Sequence, residues 1–191
     1  MDAGRIELIE PREDLREALL DYIEEFRAAG ERFWQDERQR IRSDFEGYVR
    51  ERRDWSRGVN LPPDRVPDTH YWLVRDGRIL GTIRLRHRLV EHLEIEGGHI
   101  GYDVRPSERR RGCARQMLAR VLPKARAMGL PRVLVTCDRD NVPSARVIRA
   151  NGGELHSEVV SPDSGKPVQR YWIELADRLE PRRPATGHRG D

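Results

Sequence analysis

Between His99 and Cys137 a β-rich run, a basic turn, an amphipathic stretch and a second apolar run follow one another without interruption. His99-Ile-Gly-Tyr-Asp-Val reads as a strand, Met117, Leu118, Val121, Leu122 and Ala125 recur at helical spacing within residues 112–128, and Val133-Leu-Val-Thr-Cys is a compact buried strand. A strand, a helix and a strand in that order form one crossover unit, which brings the two strands into a single sheet with the helix packed on one face. Pro123 lies inside the helix, where it costs a backbone hydrogen bond and predicts a kink or a split.

The flanking segments extend that sheet. Residues 5–10 read as a first strand ended by Pro11; Leu15, Leu19, Tyr22, Ile23 and Phe26 then mark an amphipathic helix over residues 11–29, closed by Gly30. Phe33, Trp34, Ile41, Phe45, Tyr48 and Val49 give a second helical stretch an apolar face out to about Arg53, and residues 58–69, with three prolines, are a loop. Two β-rich runs meet across Asp76-Gly77 as a hairpin, with Ile83 and Leu85 on one face of the second arm and arginines on the other. Residues 143–150 form a short helix stopped by Asn151-Gly152-Gly153, and residues 154–160 pair with 169–175 as a closing antiparallel ribbon. The order predicts an α/β fold with helices on both faces of one sheet, a single domain over residues 1–176, and a flexible tail over 177–191.

Charge is unevenly placed. Of the 36 basic residues all but Lys124 and Lys166 are arginine, and the formal net charge is only +3, yet residues 105–149 hold twelve basic side chains against three acidic ones. Such a block implies an anionic partner: nucleic acid, an acidic lipid surface or a phosphorylated cofactor. No zinc-finger, helix-turn-helix or RNA-recognition signature supports nucleic acid, and no apolar run reaches the length of a membrane span. The N-terminus carries no basic segment followed by an apolar one, so a cytoplasmic protein is expected. Cys113 and Cys137 make neither a disulfide framework nor a metal quartet, and no metal is expected.

At the centre of the basic block, Val104-Arg-Pro-Ser-Glu-Arg-Arg-Arg-Gly-Cys-Ala-Arg turns from strand to helix. Unpaired N–H groups at a helix N-terminus, with small residues at Gly112 and Ala114 that let a pyrophosphate approach, make an anion site. It is neither a P-loop nor a dinucleotide fingerprint, since both glycine patterns are missing.

Arg109-x-x-Gly112-x-Ala114 resembles the pyrophosphate loop of the GNAT superfamily of acyl-CoA-dependent N-acyltransferases, and Asn141-x-x-Ser144 with Gly152-Gly153 resembles that family's following helix and its end. Residues 97–107, 136–138 and 170–173 are similar to a group of predicted bacterial acetyltransferases within it. The resemblance implies a mixed, mostly antiparallel central sheet whose fourth and fifth strands splay, with the pantetheine arm of acetyl-CoA bonded to Val104 in the gap. It implies that the backbone of Arg110, Arg111, Gly112, Cys113 and Ala114 cradles the pyrophosphate, with Arg109 and Arg111 as charge partners, and that Asn141 and Ser144 bond the pantetheine or sulfur side. An amine of a small molecule, peptide or protein would attack the thioester directly, which requires a base, oxyanion donors and an acid for the thiolate.

For the base, many family members place a glutamate where this chain has His99, whose ordinary pKa suits neutral pH; Glu94 and Glu96 are alternatives. The family's acid, a tyrosine seven residues after Asn141, is replaced by Ile148, leaving Tyr102 and Tyr171 as phenols that chemistry alone would admit. Specificity is expected from the N-terminal helices, the 58–69 loop and the 86–97 segment, where Glu91, Glu94 and Glu96 would suit a cationic amine. A non-catalytic acyl-CoA-binding module is the alternative that Ile148 motivates, a basic nucleic-acid binder ranks behind it, and a homodimer is compatible with any of these.

Overall fold

The computed structural model describes residues 4–31 and 34–175, apart from the side chains of Gln35 and Asp36. The expected tail and Phe33 lie outside the described residues. Strands β1 (Ile6–Ile9), β2 (Asp68–Arg75), β3 (Arg78–Arg86), β4 (Ile100–Val104), β5 (Arg132–Asp138), β6 (Glu154–Val160) and β7 (Pro167–Glu174) form one seven-stranded sheet in the order β1-β2-β3-β4-β5-β7-β6. Every neighbouring pair is antiparallel except β4 with β5.

Helices α1 (Arg16–Ala28), α2 (Gln35–Ser43) and α3 (Phe45–Ser56) cover one face. Their apolar stripes enclose a cluster of Leu19, Tyr22, Phe26, Ile41 and Tyr48 against Trp72 and Ile79 of the sheet. The second helical stretch of the sequence is two helices, not one. The chain breaks at Asp44, whose carboxylate accepts the Gly47 N–H (2.8 Å) and caps α3, a role short acidic side chains fill better than any helix interior. Helix α1 starts at Arg16, after a 3-10 turn over Glu13–Leu15, rather than at Pro11.

Helices α5 (Cys113–Ala127) and α6 (Val142–Ala150) cover the other face. Met117, Leu118 and Val121 of α5 pack with Leu80, Ile83 and Leu85 of β3 and with Val133 and Val135 of β5. Pro123 neither splits nor ends α5. It lies on the exposed side, as does Ala119, so the carbonyl that loses its partner is open to water. A further short helix, α4 (Glu91–Ile95), stands where the sequence pattern shows only a polar connection.

The parallel junction positions everything that follows. β4 and β5 share one register pair, Ile100 with Val135, and part beyond it. Just before that pair, Gly98 sits at φ +57° with room for no side chain, since a Cβ there would come within 2.4 Å of the Leu134 carbonyl oxygen. Glycine thus lets the two backbones touch at one end while they diverge at the other.

Candidate functional site

A cavity of about 440 Å³ opens where β4 and β5 part. Side chains alternate across a strand, so consecutive residues of β4 reach its two halves from opposite faces. Tyr102 points to the α5–α6 face, where its hydroxyl lies 2.7 Å from Ser144 Oγ. Asp103 points to the α1–α3 face, where it accepts hydrogen bonds from the Tyr22 hydroxyl and from Thr82 Oγ1 (2.9 Å).

Burial pushes the Asp103 carboxyl up to about 6, against the opposing pull of Tyr22, Thr82 and Trp34. A carboxyl so placed is ionised at neutral pH yet close to the point where it holds a proton, which suits a general base. Burial also raises Tyr102 to about 12, with the Ser144 contact pulling the other way, so that phenol stays protonated and can donate. Asn141 caps α6 by accepting the Ser144 N–H (3.1 Å), and both residues line the cavity with Cys137. Ile148, by contrast, is wholly buried in the core.

His99 and Tyr171 are placed elsewhere. The Leu134 backbone N–H donates to His99 Nδ1 (2.9 Å), which leaves the ring proton on Nε2, and the His99 backbone N–H donates to the Leu134 carbonyl (2.7 Å), so ring and backbone together tie the start of β4 to β5. The ring is not among the cavity-lining groups, and burial with the nearby Arg86 charge lowers it to about 4. Tyr171 is buried on β7, its hydroxyl donating to Gln169 (2.6 Å) and accepting from Arg149 (3.1 Å), also away from the cavity. Of the acids in the 86–97 segment, Glu96 lines the cavity, while Glu91 and Glu94 are exposed.

At the outer end of β4 the basic turn takes an irregular course. Arg110 and Gly112 both adopt left-handed backbone, φ +62° and +83°, and no side chain caps the start of α5. The first N–H groups of the helix therefore face outward without an intrahelical partner. A Cβ at Gly112 would meet nothing within 4 Å, so the surface there is open to a large anion. Arg110, Arg111 and Arg115 are exposed around it. Arg109 is not free in the same way. Its fork grips Glu31 (2.7 and 2.9 Å), its Nε donates to the Val104 carbonyl (3.2 Å) and its guanidinium lies over the Phe26 ring, which fastens the turn to α1. Cys113 is buried at the helix start with its thiol pushed up by burial, a packing position rather than a nucleophile's. The splayed strands, uncapped helix start and exposed arginines fit an acyl-CoA bound along the α5–α6 face.

Asp103 and the arginines of β3 do not stand out in the sequence. Arg84 and Arg86 alternate with Ile83 and Leu85 as a solvent face would, but α1–α3 cover that face. Asp103 owes its raised carboxyl to burial under elements distant in the chain, among them α1, whose Tyr22, 81 residues away, bonds it.

Among the described residues no helix is long and apolar enough to cross a membrane, and no group of three His, Cys, Asp or Glu side chains is placed to hold a metal ion. The acetyltransferase (GNAT) domain family matches residues 5–154. No curated protein matches the chain. Among solved structures, Mycobacterium smegmatis RimJ in complex with a CoA-disulfide is similar at 19% identity and a TM-score of 0.68, over 90% of this chain and 83% of that one. RimL, a ribosomal alpha-N-protein acetyltransferase in complex with coenzyme A, is similar at 22% identity and a TM-score of 0.63, over 90% and 96%. A spermidine N-acetyltransferase chimera from Vibrio cholerae and hSSAT is similar at 10% identity and a TM-score of 0.59, over 90% and 96%.

Proposed function

The chain belongs to the GNAT acetyltransferase family, whose domain spans residues 5–154, and we propose that its cavity transfers an acetyl group from acetyl-CoA to a primary amine with Asp103 as base and Tyr102 as acid. The observation that carries this assignment is the division of the cavity by β4: a carboxyl poised near neutrality on one face, a protonated phenol on the other.

Acetyl-CoA supplies the thioester carbonyl that the amine attacks. The uncapped start of α5 with Arg110, Arg111 and Arg115 would hold its pyrophosphate, and Asn141 and Ser144 would border the pantetheine. That puts the thiol end beside Tyr102 and the acceptor beside Asp103. Asp103 takes one proton from the acceptor ammonium and passes it to solvent, freeing the nitrogen lone pair; the N–C bond forms, the C–S bond breaks and Tyr102 gives its proton to the departing thiolate; the second proton, left on the new amide nitrogen, is released through water and returns to the Tyr102 phenolate, so one proton is released per turnover. Ser144 aligns the Tyr102 hydroxyl for that donation. RimL supports a peptide α-amine as one acceptor class and the spermidine enzyme a polyamine as another, so the shared fold leaves the acceptor to the cavity's own side chains. Residues 1–176 are read as one catalytic domain acting in the cytoplasm.

Isothermal titration with acetyl-CoA, followed by thiol release across a panel of amines, tests the proposal. Binding together with amine-dependent release is expected. Binding with no release above background hydrolysis would make the chain an acyl-CoA-binding module instead.

A further inference from the structure

In the α1–α3 half of the cavity guanidinium groups and acids are close in number but are not all bonded to one another. β3 turns Arg84 and Arg86 into it, α3 adds Arg52, and the loop before β2 adds Arg65. The acids that line the cavity are Glu37, Glu96, Asp103 and Asp138, and Asp68 lies within ion-pair distance of Arg84 without lining it.

Pairing these groups leaves Arg84, partly buried, and Arg65, exposed, with no carboxylate hydrogen-bonded to them. Arg52 is satisfied: it bonds Glu37 (2.7 Å) and lies between the rings of Tyr48 and Trp55. Arg86 spends one end of its fork on the carbonyls of Gly97 and Gly98, both at 2.8 Å. Asp68 is shared between His70, at 3.4 Å, and Arg84, whose Nε stays 3.8 Å away and makes no hydrogen bond. Arg65 rests on the Trp55 ring at 4.4 Å and has no carboxylate within ion-pair distance among the described residues. Asp103 is occupied by neutral donors. Burial, with Arg65 and Arg52 nearby and against the pull of Asp68, lowers Arg84; burial with Arg84, again against Asp68, lowers Arg86 to about 10, so one carboxylate serves two crowded cations.

We propose that the acceptor is a small amine carrying an anionic group, a carboxylate or a phosphate, a few atoms from its nitrogen, and that Arg84 and Arg65 bind this group while Asp103 receives the amine. The inference rests on the acetyltransferase reading and adds the charge class of the acceptor. A guanidinium fork matches either anion in two parallel hydrogen bonds, and a buried one gains most from them. Spacing sets the size. Thr82, which bonds Asp103, and Arg84 are two residues apart on one face of β3, roughly 7 Å along the strand, a span for a small molecule rather than a long chain. A diamine would set its second ammonium against Arg84. Glu96, with one buried carboxylate oxygen unbonded, is the acid such a charge would have to find instead.

Matched acceptors decide the matter: β-alanine against β-alaninamide, O-phosphoethanolamine against ethanolamine, and putrescine as the dication, each with acetyl-CoA. The anionic member of at least one pair is expected to show a kcat/KM roughly tenfold or more above its neutral partner, the effect of one charge-assisted hydrogen bond, and which pair responds separates carboxylate from phosphate. Arg84→Gln should remove that advantage mainly through KM, bringing the ratio between the anionic and neutral members below about threefold while acetyl-CoA affinity stays nearly unchanged; Arg65→Gln should act in the same direction. Should a variant fail to fold, the wild-type comparison within each pair still decides. Equal use of both members, or preference for putrescine, overturns the inference and leaves the acetyltransferase reading intact. Acetyl-CoA binding with no amine of any charge acetylated overturns both.

Discussion

Tyr102 and Asp103 are neighbours on one strand and point to opposite faces of the sheet, yet both line the same cavity, because β4 has lost its β5 partner where they stand. In a fully paired sheet the two faces are separate compartments. Here the splay joins them, so a carboxyl facing α1 can act on the nitrogen and a phenol facing α6 on the sulfur, on either side of the carbonyl carbon where the N–C bond forms and the C–S bond breaks.

Replacing Asp103 with Asn should lower kcat/KM by roughly 10²- to 10⁴-fold while leaving acetyl-CoA affinity nearly unchanged, since the lost group lies on the acceptor side. The pH profile gives the sharper test. Asp103 is an effective base only when ionised, so wild-type kcat/KM should rise with pH through about 6 and then level. The variant should lack that rise, and a wild-type profile flat from 5 to 8 would remove Asp103 from the role.

Tyr102→Phe should lower kcat more modestly, by roughly tenfold to a hundredfold, because a thiolate leaves more readily than an amine or alkoxide and needs its proton less. With the phenol held at about 12, no alkaline limb from this residue should enter the profile below pH 9. An unchanged kcat would mean that solvent protonates the thiolate.

The larger fold was legible because its signals are local and strong: the apolar run of β5, the Asp76-Gly77 hairpin and the helical stripe of α5 each point to one structure. Boundaries failed where a side chain did something periodicity does not record, as when Asp44 capped α3 and cut one helical stretch into two. In the site, Asn141 and Ser144 stood out only through the resemblance to a family motif, their capping bond appearing in the structure, and Tyr102 was visible as a phenol on β4. Asp103 and Arg84 were not, because their character comes from residues far away in the chain. Nothing near Asp103 in sequence announces Tyr22, and nothing near Arg84 says that three helices close over it.

At the basic turn, strain and charge can be separated. Gly112 holds φ +83°, where any side chain costs on the order of 1–2 kcal/mol, so Gly112→Ala and Gly112→Glu should lower the melting temperature by similar amounts. Only the glutamate sets a negative charge before the uncapped N–H groups of α5, and it should weaken acetyl-CoA binding by at least roughly tenfold more than alanine does. Equal effects of the two on affinity would place the pyrophosphate elsewhere.

His99 makes a prediction about stability rather than rate. Its Nδ1 accepts the Leu134 N–H across the β4–β5 junction, and burial holds the ring at about 4, below the 6.5 it has when exposed. The unfolded chain therefore binds the proton more tightly than the folded one. Stability from this group is complete above pH 6.5 and is lost as the pH falls toward about 4. His70, lowered to about 4 mainly by burial, acts in the same window. Thermal melts at pH 7.5 and pH 5 should show the wild type losing stability, and His99→Gln losing less, since a glutamine carbonyl can accept the Leu134 N–H but has nothing to titrate. Equal losses in the two proteins would show that the junction does not depend on a neutral ring at this position.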